Sequence, residues 1–255
     1  MLTIITPFTG VYFISILISS TVRPFPYPSR PSLFRERAGT HSFTGSNRII
    51  NLFYPIMKES IFSFFNAPIT NQVSNGVVCV SQLHAYITTS EWLRERTDQV
   101  RAASGDEKRF RRLKQSLLPY VTPAGIFSYR REDHLLLPSG EFVIDIDHLS
   151  SPEEAIRWRD TLFADERLRP DLSFVSPSTT GIKLLVPYRL SIKKTVEESF
   201  DEAVQFAWEY LEGKYGLKAD ATNADLSRAC FLCHDPSARL RAVSYTHLTL
   251  PTIRL

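Results

Sequence analysis

The sequence predicts an α+β fold built on the split βαβ plan. Three observations predict it. Between residues 141 and 232 the elements run in the order β-α-β-β-α-β. The strand segments are short apolar runs, whereas the helix segments place apolar residues at helical spacing. Both helices of this stretch also open on capping residues at the right distances. An α/β extension precedes this core.

The chain has 255 residues, enough for one large domain or two small ones. An apolar fraction of 43% is ordinary for a protein that buries a core. The net charge of +3 identifies no partner. Three cysteines are too few for a disulfide framework. They point to a reducing compartment, and the expected location is cytoplasmic.

Residues 1–21 are apolar but interrupted by Pro7, Gly10 and several Ser and Thr. No basic residue precedes Arg23, so the positive n-region of a signal peptide is missing. The run is at most a weak membrane anchor, and no membrane partner is expected. Residues 22–56 are rich in Pro, Ser and Arg without a clear period, the composition of disorder. Met57 is the expected start, with 1–56 as upstream sequence translated in frame. Residues 57–241 are expected to form the domain, with its core at 141–233. Residues 242–255 are expected to be an artefactual tail, because Ala242 to Thr252 resembles translated sequencing-adapter sequence. The natural chain is then expected to continue past Arg241.

Residues 77–87 read as a strand and turn. Thr88, Thr89 or Ser90 caps a helix that runs through Trp92, Leu93 and Val100. Gly105 and Asp106 open a second helix, which stops before Pro119. The span 94–131 carries ten basic residues against four acids, with Arg109, Arg111, Arg112 and Lys114 on one helix. Such a patch suits a phosphate backbone, although each residue taken singly also fits a solvated helix face.

The core opens on Glu141-Phe142-Val143-Ile144-Asp145-Ile146-Asp147-His148. Side chains at i and i+2 of a strand share a face. Asp145 and Asp147 therefore lie side by side with Val143, opposite Phe142, Ile144 and Ile146. Two carboxylates so close repel each other unless a cation lies between them. Hard oxygens on a rigid strand suit Mg²⁺ or Mn²⁺. An Asp-x-Asp taken alone also fits a strand end whose acids simply face water.

Ser151 then serves as N-cap, Pro152 as N1 and Glu154 as the N3 partner of a helix. Leu172 to Val175 is a strand. A small-residue loop, Ser176-Pro177-Ser178-Thr179-Thr180-Gly181, leads to a strand at Ile182 to Val186. Thr195 and Glu198 form another capping box. Phe200, Val204, Ala207 and Leu211 mark an amphipathic helix that ends near Gly213 or Gly216. A last strand covers Arg228 to Leu232.

In the split plan, the first strand lies between the third and the fourth, antiparallel to both. Its C-terminal end then meets the starts of both neighbours. Asp147, Gly181 to Lys183, and Asp220 to Arg228 converge on one sheet edge. There Asp145 and Asp147 would hold a divalent ion, with Asp220 or Asp225 as third carboxylate. Main-chain N–H groups of the 176–181 loop would meet phosphate oxygens. Lys183 and Arg228 would add positive charge. Each also has a plain structural reading: a hairpin loop, a snorkelling lysine, a surface ion pair.

Four strings carry a family resemblance: Lys114-Gln115-Ser116-Leu117-Leu118-Pro119 with Thr122 to Phe127, Asp145-Ile146-Asp147-His148-Leu149, Ser176 to Lys183, and Asp220 through Ser227-Arg228-Ala229-Cys230-Phe231. Over about residues 57–241 the sequence resembles the VirE N-terminal domain family. That family is similar to the archaeo-eukaryotic primase superfamily and often occurs in mobile-element proteins. The resemblance implies an RRM-like, primase-type catalytic core and a metal-dependent nucleotidyltransferase of a mobile-element or replication-associated protein. Its partners would be a nucleoside triphosphate and DNA. Asp145, Asp147 and Asp220 would be the catalytic metal ligands. Ser176, Ser178, Thr180, Gly181, Lys183 and Arg228 would bind the nucleotide. A helicase-like domain would follow the C-terminus. The second primase motif usually ends in His, where this sequence has Lys183. The alternative is therefore a catalytically inactive nucleic-acid-binding module of the same fold.

Cys230-Phe231-Leu232-Cys233-His234 fits the spacing of covalent haem attachment, which would require export. A zinc site would need a fourth ligand, and Cys79 is far away in sequence. His148 follows the two aspartates at a strand end, and His84 and His134 have no visible partners. Trp92, Trp158 and Trp208 fall on helices as packing residues. No Walker-type loop, G-x-S-x-G or H-E-x-x-H motif occurs.

Overall fold

The computed structural model describes residues 59–218 and 225–241. All of them belong to the larger of two units into which the chain divides, 39–255. The expectations for residues 1–56, for Met57 as the start, for Asp220 and for the tail 242–255 lie outside the described residues.

The described chain is a mixed α/β structure whose strand pairs are all antiparallel. Strands β1 (Ile61–Phe65) and β2 (Gly76–Cys79) form a hairpin. Helices α1 (Val80–Thr89), α2 (Glu91–Arg101) and α3 (Glu107–Leu117) follow. Then come β3 (Tyr120–Thr122), β4 (Gly125–Phe127), β5 (Leu135–Pro138) and β6 (Glu141–Ile146). The remainder is α4 (Pro152–Phe163), β7 (Leu172–Val175), β8 (Ile182–Pro187), α5 (Val196–Tyr215), β9 (Cys230–Phe231) and β10 (Arg239–Leu240). One sheet has the order β2-β1-β3-β9 and a second has the order β10-β7-β8-β6, while β4 and β5 pair by themselves.

The helix starts follow from their caps. Ser90 Oγ accepts the Leu93 N–H at 3.2 Å, and the Asp106 carboxylate accepts the Arg109 N–H at 3.0 Å. Ser151 Oγ accepts the Glu154 N–H at 3.2 Å with Pro152 in the first turn. Thr195 and Glu198 form the reciprocal box, Glu198 N–H to Thr195 Oγ1 at 3.1 Å and Thr195 N–H to Glu198 Oε2 at 2.8 Å. Gly216 stops α5 at φ 67°, a left-handed conformation that favours glycine. The segment read as a strand and turn at 77–87 is instead β2 running into α1.

The main core lies between the second sheet and helices α4 and α5. Phe142, Ile144 and Ile146 of β6 and Leu184 and Val186 of β8 pack with Ala155, Leu162, Phe200, Val204, Ala207 and Leu211. The alternation read in β6 is thus observed, with Val143 and Asp145 on the opposite face, both half-buried.

The expected order of the four core strands differs at one place. β6 and β8 pair as expected, and β8 also pairs with β7. The fourth strand does not flank β6. β9 pairs with β3, Tyr120 opposite Phe231 and Val121 opposite Cys230. The rings of Tyr120 and Phe231 lie 6.0 Å apart, and Leu232 N–H donates to Pro119 O at 2.9 Å. β3 offers β9 both a ladder and an aromatic partner, so β9 joins the first sheet.

The two sheets are nevertheless tied together. The Cys233 thiol donates to Val175 O at 3.0 Å, and the Val175 N–H donates to Asp235 at 2.8 Å. Arg159, almost fully buried in α4, pairs with Asp160 at 2.9 Å and with Asp235 at 3.5 Å. Among the described residues no helix is long and apolar enough to cross a membrane.

Candidate functional site

The site begins with strand register. Asp145 of β6 lies opposite Lys183 of β8. Directly opposed side chains of an antiparallel pair share a face and sit close together. Lys183 Nζ donates to Asp145 Oδ2 in a buried ion pair, the two side chains being 8% and 15% exposed. Burial works against the lysine charge, but Asp145 beside it outweighs that effect and holds Lys183 above the ordinary lysine value. Asp145 Oδ1 is buried and has no hydrogen-bond partner among the described residues.

Asp147 follows the end of β6. Burial, then repulsion from Asp145, raises its carboxyl above the ordinary aspartate value, while Lys183 and Lys114 oppose the rise. The β7–β8 loop is built against this carboxylate. A Cβ on Gly181 would lie 2.5 Å from Asp147 Oδ1, 2.8 Å from Ser176 Oγ and 2.9 Å from Ile146 O. A side chain there would force the Asp147 and Ser176 side chains and the Ile146 carbonyl to give way. Leu149 N–H donates to Thr180 O at 2.8 Å, which fastens the loop to the segment after β6. Ser176 N–H bonds Gly181 O at 2.8 Å, Thr179 N–H bonds Ser176 O at 3.0 Å, and the Ser176 and Ser178 hydroxyls are 2.8 Å apart. The N–H groups of Ser176 and Thr179 are thus engaged within the loop. His148 and Thr179 hold positive φ, 61° and 68°, at the two turns that meet there.

β9 reaches the same place from the first sheet. The charges of Lys183, Asp145 and Arg228 all act on the buried Cys230 thiol, which burial pushes up to about 11. Lys114 of α3 arrives from a third direction, its Nζ 5.4 Å from the centre of the Phe231 ring. Burial, then repulsion from Lys183, lowers Lys114 below the ordinary lysine value, and the two aspartates oppose this. Asp145, Asp147, the Gly181 turn, Lys183 and Lys114 therefore share one lip. The sequence placed Lys114 in the basic patch and at the head of a family-resemblance string, with no role beside the aspartates. Nothing in its spacing from residue 145 signals the approach.

The other expected residues lie elsewhere. Asp225 accepts the Ser227 N–H at 2.7 Å and the Ser227 hydroxyl at 2.9 Å. It also borders Glu132, which accepts the Leu226 N–H at 3.1 Å. Among the described residues no three His, Cys, Asp or Glu side chains gather to hold a metal ion. Asp225 thus keeps its own partners away from the aspartate pair. Arg109, Arg111 and Arg112 are exposed on α3. Arg111 pairs with Glu107 at 2.8 Å, and a cavity of about 340 Å³ is lined by Glu107, Lys108, Arg111, Arg112 and Gln115. Cys230 and Cys233 are both buried, so neither thiol is open to covalent haem attachment.

The family model for the BT4734-like N-terminal domain matches residues 112–239, half of the chain. The chain belongs to the BT4734-like N-terminal domain family. This family is related to VirE N-terminal domains. No curated protein and no solved structure matches the chain. The BT4734-like match begins inside α3 and ends at the start of β10, so it contains every residue of the lip, Lys114 included. Arg109 and Arg111 fall outside it.

The donors of this BT4734-like site suit a hard divalent ion in part. Two carboxylates lie within mutual repulsion, and one buried carboxylate oxygen has no partner among the described residues, so an added cation would relieve both conditions. The Lys183 ammonium, however, already neutralises one carboxylate.

Proposed function

We propose that the domain is a primase-like nucleotidyltransferase that binds a nucleoside triphosphate and DNA at this lip. The single observation that carries the reading is the Gly181 turn packed directly onto Asp147 beside the Asp145–Lys183 pair. A loop that closes onto Asp147 through a glycine, where any side chain would press on that carboxylate and on the Ile146 carbonyl, supports an arrangement built around the carboxylates.

Asp145 and Asp147 would hold Mg²⁺ or Mn²⁺, with Asp220 as the further ligand. When bound, the ion would help deprotonate the attacking hydroxyl and neutralise charge on the triphosphate. Lys183 supplies a positive charge beside Asp145. Ser176, Ser178, Thr180 and Gly181 shape the wall against which phosphate oxygens rest, and Arg228 adds charge near Cys230. Arg109, Arg111 and Arg112 would attract the DNA backbone. The cytoplasm is the proposed location, in keeping with three free cysteines. A helicase-like partner domain is proposed from family analogy alone.

The test is primer synthesis and extension with Mg²⁺ or Mn²⁺, comparing wild type with the Asp145→Ala/Asp147→Ala variant. Product from wild type alone is expected. Equal product from both proteins would refute the assignment.

A second reading, a non-catalytic nucleic-acid-binding module, is favoured by the Lys183–Asp145 ion pair. A lysine occupies the place where an imidazole is usual and neutralises a carboxylate that an ion would need. On that reading DNA binding survives loss of both aspartates and weakens steeply with salt. Turnover by the wild type would exclude it.

A further inference from the structure

Helix α3 carries five basic residues, and they do not share one environment. Lys108, Arg109, Arg111 and Arg112 are exposed. Lys114 lies instead on the half-buried stripe with Phe110, Leu113 and Leu117, positions that helical geometry places on one side. It is in the last turn, with its ammonium 5.4 Å from the centre of the Phe231 ring. Phe231 follows Cys230, and Cys230 borders the Lys183–Asp145 pair.

Two lysines therefore attend two aspartates, on unequal terms. Lys183 is buried and hydrogen-bonded to Asp145. Lys114 feels Asp147, Asp145 and Lys183, yet it makes no hydrogen bond or ion pair among the described residues. Its four-carbon stem is flexible, and its three N–H donors are committed to no hydrogen bond among the described residues. Lys114 is half-buried and Lys183 almost fully buried, so Lys114 is the ammonium more open to an anion from solvent. A triphosphate there would bring negative charge to the lysine and repel the aspartates, unless the ammonium moved between them.

We infer that Lys114 is a phosphate-binding residue of the nucleotide site, receiving the triphosphate at the carboxylate lip, and is distinct in task from the exposed arginines of α3. The inference rests on the reading of the lip as a nucleotide site. Lys114 gives that site an anion-binding group from outside the sheet and joins the basic helix to the aspartates.

The experiment is titration of a fluorescent nucleoside triphosphate into the full chain, with and without Mg²⁺. A parallel titration uses single-stranded DNA at several salt concentrations. Wild type is compared with Lys114→Ala, Lys114→Arg and the surface control Lys193→Ala, each first shown to melt like wild type. Lys114→Ala is expected to weaken triphosphate binding about tenfold or more, the loss for one hydrogen bond to a charged group. Lys114→Arg should restore most of it. The slope of DNA affinity against salt should not change. Triphosphate affinity within about twofold of wild type in Lys114→Ala would overturn the inference. So would a salt slope reduced by about one with triphosphate affinity intact, the sign of a DNA phosphate contact. Wild type that binds triphosphate without needing Lys114 sinks this inference alone. Wild type that needs Lys114 for binding but makes no primer sinks only the catalytic reading. Wild type that binds no triphosphate sinks both.

Discussion

Replacing Lys183 by Met removes the ammonium from a buried pair and keeps most of the stem volume. Asp145 would then retain a negative charge at a position 15% exposed, with its Oδ1 already lacking a partner among the described residues. Removing one partner of a buried ion pair costs about 3–5 kcal/mol. The lower end applies here, about 3 kcal/mol, because Lys114 still stands near both carboxylates. In a domain of this size that loss corresponds to a fall in Tm of about 6–12 °C. The assay is urea unfolding followed by tryptophan fluorescence, since Trp92, Trp158 and Trp208 lie on α2, α4 and α5. Adding Asp145→Asn should recover most of the loss, because no uncompensated charge then remains buried. A deficit under about 1 kcal/mol, or a double variant whose losses simply add, would refute the claim that the two residues form one buried unit.

Two further changes probe the surroundings of that unit. Gly181→Ala places a Cβ 2.5 Å from Asp147 Oδ1 and 2.9 Å from the Ile146 carbonyl, so it should cost about 1–3 kcal/mol, and an unchanged melting temperature would contradict the close approach. Glu141, buried at the start of β6, has its carboxyl raised well above the ordinary value by burial and by the nearby Asp171. The folded state therefore holds this proton more tightly than the unfolded chain, and stability falls as pH rises above about 4.5, the unfolded value. Glu141→Gln should be more stable than wild type near pH 8 and show no advantage near pH 4. Parallel stability curves would contradict the assignment.

Much of the local structure was legible because it is written in side chains that act over three or four residues. Ser151, Thr195 with Glu198, Asp106 and Ser90 cap the helices they were expected to cap, whereas the Glu154 carboxylate accepts from Ser150 and not from the Ser151 N–H. The alternation in Glu141 to Ile146 also sorted its residues between the α4–α5 core and the opposite face. Helix α1 was hidden because Cys79 is an unusual N-cap and the β-branched residues Val77, Val78 and Val80 precede or open it. The pairing of β9 with β3 was illegible for a different reason. The strands have two and three residues, are joined by no turn, and lie more than a hundred positions apart. Without that pairing the fourth strand had only β6 as an evident partner. The same gap hid Lys114, whose place at the lip depends on β9 and Phe231. Asp145, Lys183 and Gly181 were brought together as expected, because β6 and β8 are neighbours in the split plan.

The central claim is that Asp145 and Asp147 form a cation-holding pair for a nucleotide. The most direct measurement is calorimetric titration of Mn²⁺ into the full chain saturated with a nucleoside triphosphate, for wild type and for Asp145→Asn/Asp147→Asn. A saturable heat in wild type that is absent from the double variant is the predicted result. Identical titrations from the two proteins would contradict it.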